Sequence, residues 1–114
     1  MTLSARITRN TTERLFKTDV SRAARLAMER MATDIVRDMK ARTPVRTGTL
    51  RDSIHHSWDG ETLRLQTGEE APYAQFVEFG TSRMVASPFF FPVLDEYRSR
   101  FPEYVRAAIK EVIG

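Results

Sequence analysis

The residues able to do chemistry in this chain are few, and their spacing keeps them apart. His55 and His56 are neighbours. On an extended segment their rings project to opposite faces, so they cannot grip one metal ion together. Asp52, Ser53 and His55 supply an acid, a nucleophile and a base by type. All three lie on one short segment, Asp52 facing away from the other two, and nothing beside them builds an oxyanion site. Glu69, Glu70 and Glu78 are carboxylates close in sequence, with no pocket to raise a pKa or set them across a scissile bond. Gly60, Gly68 and Gly80 stand singly, outside any phosphate-binding loop. The absence of cysteine removes thiolate metal sites, thiol nucleophiles and disulfides. These patterns predict no catalytic residue, no metal and no cofactor.

Two groups of residues are suited to binding instead. Lys40, Arg42, Arg46 and Arg51 flank the loop at 43–50 and have the character of phosphate contacts that would hold DNA without reading its sequence. No aromatic stacking platform is interleaved with them. Residues 71–92 hold six of the chain's aromatic residues and three of its five prolines. Within them, Phe89, Phe90 and Phe91 are consecutive, and on a helix three such rings span about 200° of the circumference. One core cannot easily take all three, so at least one is expected at the surface as an intersubunit anchor.

The elements that must position these groups follow from periodicity. Residues 19–42 carry Val20, Ala24, Ala27, Met28, Met31, Ile35 and Met39 on one helical stripe. Thr18 or Asp19 is the expected cap, and Thr43-Pro44 the stop. Arg25 with Glu29, and Arg30 with Asp34, are pairs at helical spacing; Leu26 and Val36 interrupt the polar face and hint at a second contact surface. A short extended piece is expected around residues 6–8 and a turn at 10–12. Residues 50–58 and 61–67 read as two strands joined at Asp59-Gly60. Leu63 and Leu65 form one stripe, matched by Ile54, His56 and Trp58, so one face of the hairpin needs a helix over it. A short helix is expected over 72–79, with Tyr73, Phe76 and Val77 on one face and Gly80 ending it. Residues 81–86 read as extended. Ser87 and Pro88 form a second helix start, with helix resuming near Pro88 or Pro92, and Pro102 is expected to break or kink it. Val105, Ala108, Ile109, Val112 and Ile113 make a closing amphipathic helix.

A length of 114 residues with 41% apolar content fits one domain with a modest core. Little interior is left for a buried cleft, which favours binding or assembly over catalysis. No apolar run approaches a membrane span or a secretory signal, so the expectation is a soluble protein made in the cytoplasm. Residues 1–51 hold 12 Lys or Arg against 5 Asp or Glu, and residues 52–114 hold 6 against 10. The net charge of +3 therefore hides a bipolar chain, suited to stacking against copies of itself or a neighbour.

The combined pattern of the long helix, Thr43-Pro44-Val45-Arg46-Thr47-Gly48-Thr49-Leu50-Arg51-Asp52-Ser53-Ile54, Pro72-Tyr73-Ala74, Val77-Glu78-Phe79-Gly80-Thr81, Met84, Ala86, Pro88-Phe89-Phe90 and Pro92 resembles the small tail-component family of long-tailed bacteriophages. The resemblance spans residues 18–98, and Pro102 departs from the family's usually uninterrupted helix. It implies an α+β fold in which a long N-terminal amphipathic helix and a C-terminal helix pack on a small antiparallel β-sheet. It also implies a non-catalytic virion component of the neck or head-tail junction, made in the host cytoplasm and assembled as a ring, commonly sixfold. Its expected partners are further copies of itself and connector or tail-tube proteins, with DNA in the channel as a further contact and neither a membrane nor a small-molecule substrate. Mapped onto this chain, Thr47-Gly48 turns the helix into the sheet. Tyr73, Glu78, Phe79, Met84, Phe89, Phe90 and Phe91 become the expected assembly interface, with Glu78 placed to pair with Arg51, Arg83 or an arginine of the next subunit. The alternative reading is a small basic DNA-binding protein.

Overall fold

The computed structural model describes residues 2–8, 18–44 and 48–113. The element order is β1 (Ser4–Thr8), α1 (Thr18–Arg42), α2 (Gly48–Ser53), β2 (His55–Asp59), β3 (Thr62–Gln66), α3 (Ala74–Phe79) and α4 (Phe91–Ile113). Two long helices thus pack together with a three-stranded antiparallel sheet of order β1-β3-β2, an α+β fold. The molecule is elongated, 52 × 22 × 21 Å.

The stripe expected on α1 is the core: Ala24, Ala27, Met28, Met31, Ile35 and Met39 are all buried, while the side chains of Thr18, Asp19 and Val20 lie outside the described residues. Thr43 ends the helix by donating its hydroxyl to the Met39 carbonyl at 2.8 Å, just before Pro44. On the sheet, Leu63 and Leu65 are buried, flanked across β1 by half-buried Ile7 and Ala5 and across β2 by Trp58 and His56. His56 shares that register but stays exposed at the strand's edge. The helices cover this face only. The other face carries the polar row Arg6, Arg64 and Ser57.

Helix α4 runs antiparallel to α1, as two ion pairs demonstrate: Arg42 at the end of α1 meets Glu96 near the start of α4 at 3.0 Å, and Arg30 at the middle of α1 meets Glu111 near the end of α4 at 2.6 Å. Leu26 packs with Ala23 and Ala27 against Ala108 of α4, while Val36 packs on the main core, so the second contact surface hinted at on α1 is taken up within the fold.

Several expectations are corrected. Residues 50–53 belong to α2 rather than to a strand, because Leu50, Ser53 and Ile54 face inward together at helical spacing. Thr47 lies outside the described residues, and Gly48 opens α2 instead of leading directly into the sheet. The hairpin turns at Gly60-Glu61, one residue later than Asp59-Gly60, since Asp59 pairs with Thr62. Gly60 has φ 63°, and among the described residues no other residue type has positive φ, which makes this a turn with glycine at its first central position. Arg30 reaches Glu111 instead of Asp34, which is engaged by Arg37 at 3.0 Å. Pro102 sits inside one continuous α4. Its exposed position leaves the unbonded carbonyl one turn earlier open to water. The turn expected at 10–12 lies outside the described residues.

Candidate assembly surface

The segment between α3 and α4 is built around glycine geometry and one carboxylate. Pro72 stands in the turn before α3, which begins at Ala74 and not at Pro72. Ala74, Val77 and Glu78 form its buried face, which leaves Phe76 and Phe79, three residues apart, on the opposite face. Phe76 therefore departs from the face assigned to it with Tyr73 and Val77. Tyr73 is half-buried against the core.

Gly80 ends α3 with φ 76° and ψ 177°, a backbone region that glycine alone enters readily. A Cβ there would also stand 2.8 Å from both the Met84 carbonyl oxygen and the Ala86 nitrogen. That close approach lets the chain fold back tightly. Thr81 donates its amide to Met84 at 2.9 Å and receives one in return at 3.3 Å, and the Arg83 amide reaches the Thr81 hydroxyl at 3.2 Å. The Ser87 amide then bonds the Val77 carbonyl at 2.8 Å. Residues 81–84 are accordingly a tight turn where extended chain was expected, and 81–88 form an exposed finger closed at its base.

The finger's far end is held by Glu78. Its Oε1 accepts the amides of Phe89 and Phe90, and its Oε2 that of Phe91, each at 2.9 Å. Glu78 is only 3% exposed, and its charge meets neither Arg51 nor Arg83 among the described residues. It faces instead the N-terminus of α4, where free amides and the helix dipole favour an anion. Helix therefore begins at Phe91, not at Pro88. Pro92 fits its first turn because no intrahelical amide bond is required there.

This clamp sorts the three phenylalanines. Phe89 and Phe90 are fully buried, while Phe91 stays 37% exposed and stacks on Phe79 with ring centroids 5.9 Å apart. Among the described residues the exposed large hydrophobics are Phe76, Phe79, Met84, Val85 and Phe91. Val85, at 90% exposed, is the most open, and neither it nor Phe76 was in the set expected from sequence. Their signal was available only as apolar residues flanking a glycine turn.

The basic residues are dispersed. Arg42 pairs with Glu96, Arg51 with Asp52 at 3.1 Å, and Lys40 is half-buried; Arg46 lies outside the described residues. The Ser53 hydroxyl donates to the Leu50 carbonyl at 2.8 Å. The His55 ring bridges the Ser53 carbonyl at 2.7 Å and the Gln66 side chain at 3.0 Å. Both contacts are met by one neutral tautomer, with Nδ1–H donating and Nε2 accepting.

A polar seam between α1 and α4 had no sequence signal. The Tyr97 hydroxyl donates to Asp38 and that of Tyr104 to Asp34, while Arg100 lies 4.7 Å over the Tyr97 ring. The Tyr97 hydrogen bond holds the Asp38 carboxyl below its usual range. Burial and the partner carboxylates push both phenols above theirs. The seam fixes α4 against α1 and so sets the base from which the finger projects.

With this geometry in place, the comparison with known families shows that a family described as "Bacteriophage HK97-gp10, putative tail-component" matches residues 6–80. No curated protein and no solved structure matches the chain. The matched span reaches from β1 to Gly80, so the finger and α4 lie beyond it. Covering more than half of the chain, the match establishes that this protein belongs to the HK97 gp10-like family of bacteriophage tail components, a structural and typically non-enzymatic family of the virion.

Proposed function

We propose that this chain is a neck or tail-completion subunit of the head-tail junction, acting in virion assembly by protein contacts. Copies associate as a ring, sixfold by family resemblance, in which each finger is covered by a neighbouring subunit. The observation that carries this reading is the confinement, among the described residues, of the exposed large hydrophobics to residues 76–91: Phe76 and Phe79 on α3, Met84 and Val85 on the closed finger and Phe91 at the start of α4. Apolar groups collected in one segment, unlike single scattered ones, favour a protein partner, and a conformation closed by hydrogen bonds lowers the entropy lost on binding. Exposed apolar rings at a patch centre have the character of interface anchors. The chain belongs to a family of tail components, which supports the virion as the setting.

Phe79→Asp and Val85→Asp test it. Both positions are exposed, so the variants keep the fold while losing rings in electron microscopy and failing to enter particles. Unchanged assembly of both variants, or a strict monomer that never enters particles, would overturn the reading.

A further inference from the structure

A groove of about 280 Å³ runs along β1 and includes no residue of the finger. Its apolar floor is Ala5 and Ile7 of β1, Met31 and Ile35 of α1, and Leu94 and Phe101 of α4. Among the described residues β1 pairs along one edge only, with β3, so the edge beside this groove keeps backbone donors and acceptors without strand partners. Arg6 and Arg98 also line it, and neither makes an ion pair among the described residues. Arg6 lies directly opposite Arg64 in the β1–β3 register. Two like charges facing one another across strands are destabilising. Asp59 stands 3.7 Å from the Arg64 guanidinium, whose Nε is buried without a hydrogen-bond partner among the described residues.

We infer that this groove receives an extended segment of a neighbouring protein, added to β1 as a fourth strand with apolar residues alternating with acidic ones. The strand edge requires an extended backbone, and strand addition satisfies it with main-chain hydrogen bonds. Side chains of the added strand alternate between faces. Those facing inward meet the apolar floor, and those facing outward lie in the row of Arg6, where a carboxylate relieves the Arg6–Arg64 repulsion. The charge balance argues against a second copy's finger as the occupant, because Arg83 would bring a further cation to a site already holding Arg6 and Arg98.

The inference rests on the assembly reading for the source of the strand, but the groove can be tested alone. The isotope-labelled full chain is titrated with a short capped peptide of alternating valine and glutamate, with its valine-lysine counterpart, and with a glutamate peptide whose backbone is N-methylated. The acidic peptide binds about tenfold tighter than the basic one, a difference set by opposite-charge cross-strand pairs. It also slows amide exchange at Ser4 and Arg6, whose N–H groups face the open edge, while Ala5 and Ile7 already face β3. Arg6→Glu combined with Arg98→Glu reverses the preference, and binding of the lysine peptide then shows in the same measurement that the variant is folded. Equal affinity for both peptides, undiminished binding of the N-methylated one, or no binding at all would overturn strand addition. Self-association of the free protein that the double variant abolishes would also overturn it, by giving the groove to a second copy. None of these results bears on particle incorporation. Conversely, a chain that binds the acidic peptide but never enters particles would defeat the assembly reading and leave the groove standing.

Discussion

The helical body and the finger are stabilised in different ways. In the body, Met28, Ile35 and Met39 of α1, Leu63 and Leu65 of β3 and Val93 and Tyr97 of α4 share one buried cluster, so the loss of any one is spread over many neighbours. In the finger, residues 81–88 are all exposed, and conformation depends on Gly80, two turn hydrogen bonds and the three amides on Glu78. Burial tolerates compromise because it is non-directional, whereas hydrogen-bonded geometry does not. The body can therefore drift in sequence at constant hydrophobicity, while the finger depends on a few specific atoms.

This contrast can be broken most forcibly from the body side. Ile35→Ala leaves a cavity under the sheet and costs about 3 to 4 kcal/mol of unfolding free energy in urea titration. The surviving folded fraction should assemble normally, and loss of assembly per folded molecule would erase the distinction between the regions. Glu78→Ala comes next, at about 3 kcal/mol, because it leaves three amides without their acceptor, two of them on buried residues. Glu78→Gln keeps the shape with one acceptor oxygen and falls between. Unlike Ile35→Ala, Glu78→Ala should raise amide exchange selectively at Phe89, Phe90 and Phe91. Gly80→Ala follows at about 2 kcal/mol, from positive φ and backbone crowding. Its readout is a changed chemical environment confined to residues 80–87, and global loosening would show that the finger is not a separate unit.

The same division decides what the sequence made legible. The α1 stripe and the Leu63/Leu65 alternation were readable because burial imposes a period on neighbouring positions. The start of β2 was misread because residues 50–54 are too few to separate helical from extended spacing: Leu50 and Ile54, four apart, share a face in either, and only the burial of Ser53 decides for the helix. The hairpin slipped by one residue because glycine serves either central position of a two-residue turn. In the segment at 71–92, the aromatic and proline content marked an unusual surface, and at least one phenylalanine of 89–91 was expected outside, which is Phe91. Which ones lie inside was not legible. That choice is made by Glu78 acting on amides 11 to 13 residues away, a contact that leaves no periodic trace. For the same reason the pairing of Asp34 and Asp38 with tyrosines on α4 was invisible: residues 59 to 70 apart carry no spacing rule.

That seam supplies the mildest test, because it belongs to the body yet is directional like the finger's clamp. Tyr97→Phe removes one hydroxyl from a buried ring whose acceptor, Asp38, is partly exposed, and costs about 1 kcal/mol near neutral pH. Its pH dependence is more telling than its size. The Asp38 carboxyl is held below its unperturbed value of 3.8, so its contribution is present above that pH and lost as pH falls through the lower native value. Tyr97 and Tyr104 are raised above 10.0, so theirs is complete below that pH and lost as pH rises through the higher native values. Wild-type stability should fall at both extremes. Because the Tyr97 hydrogen bond is the largest influence lowering Asp38, the single change Tyr97→Phe should weaken the pH dependence on both limbs at once. Urea midpoints measured across pH would read this directly. A change on the alkaline limb alone would mean that Asp38 is held by Arg37, and that the seam is two independent contacts where the geometry describes one coupled pair.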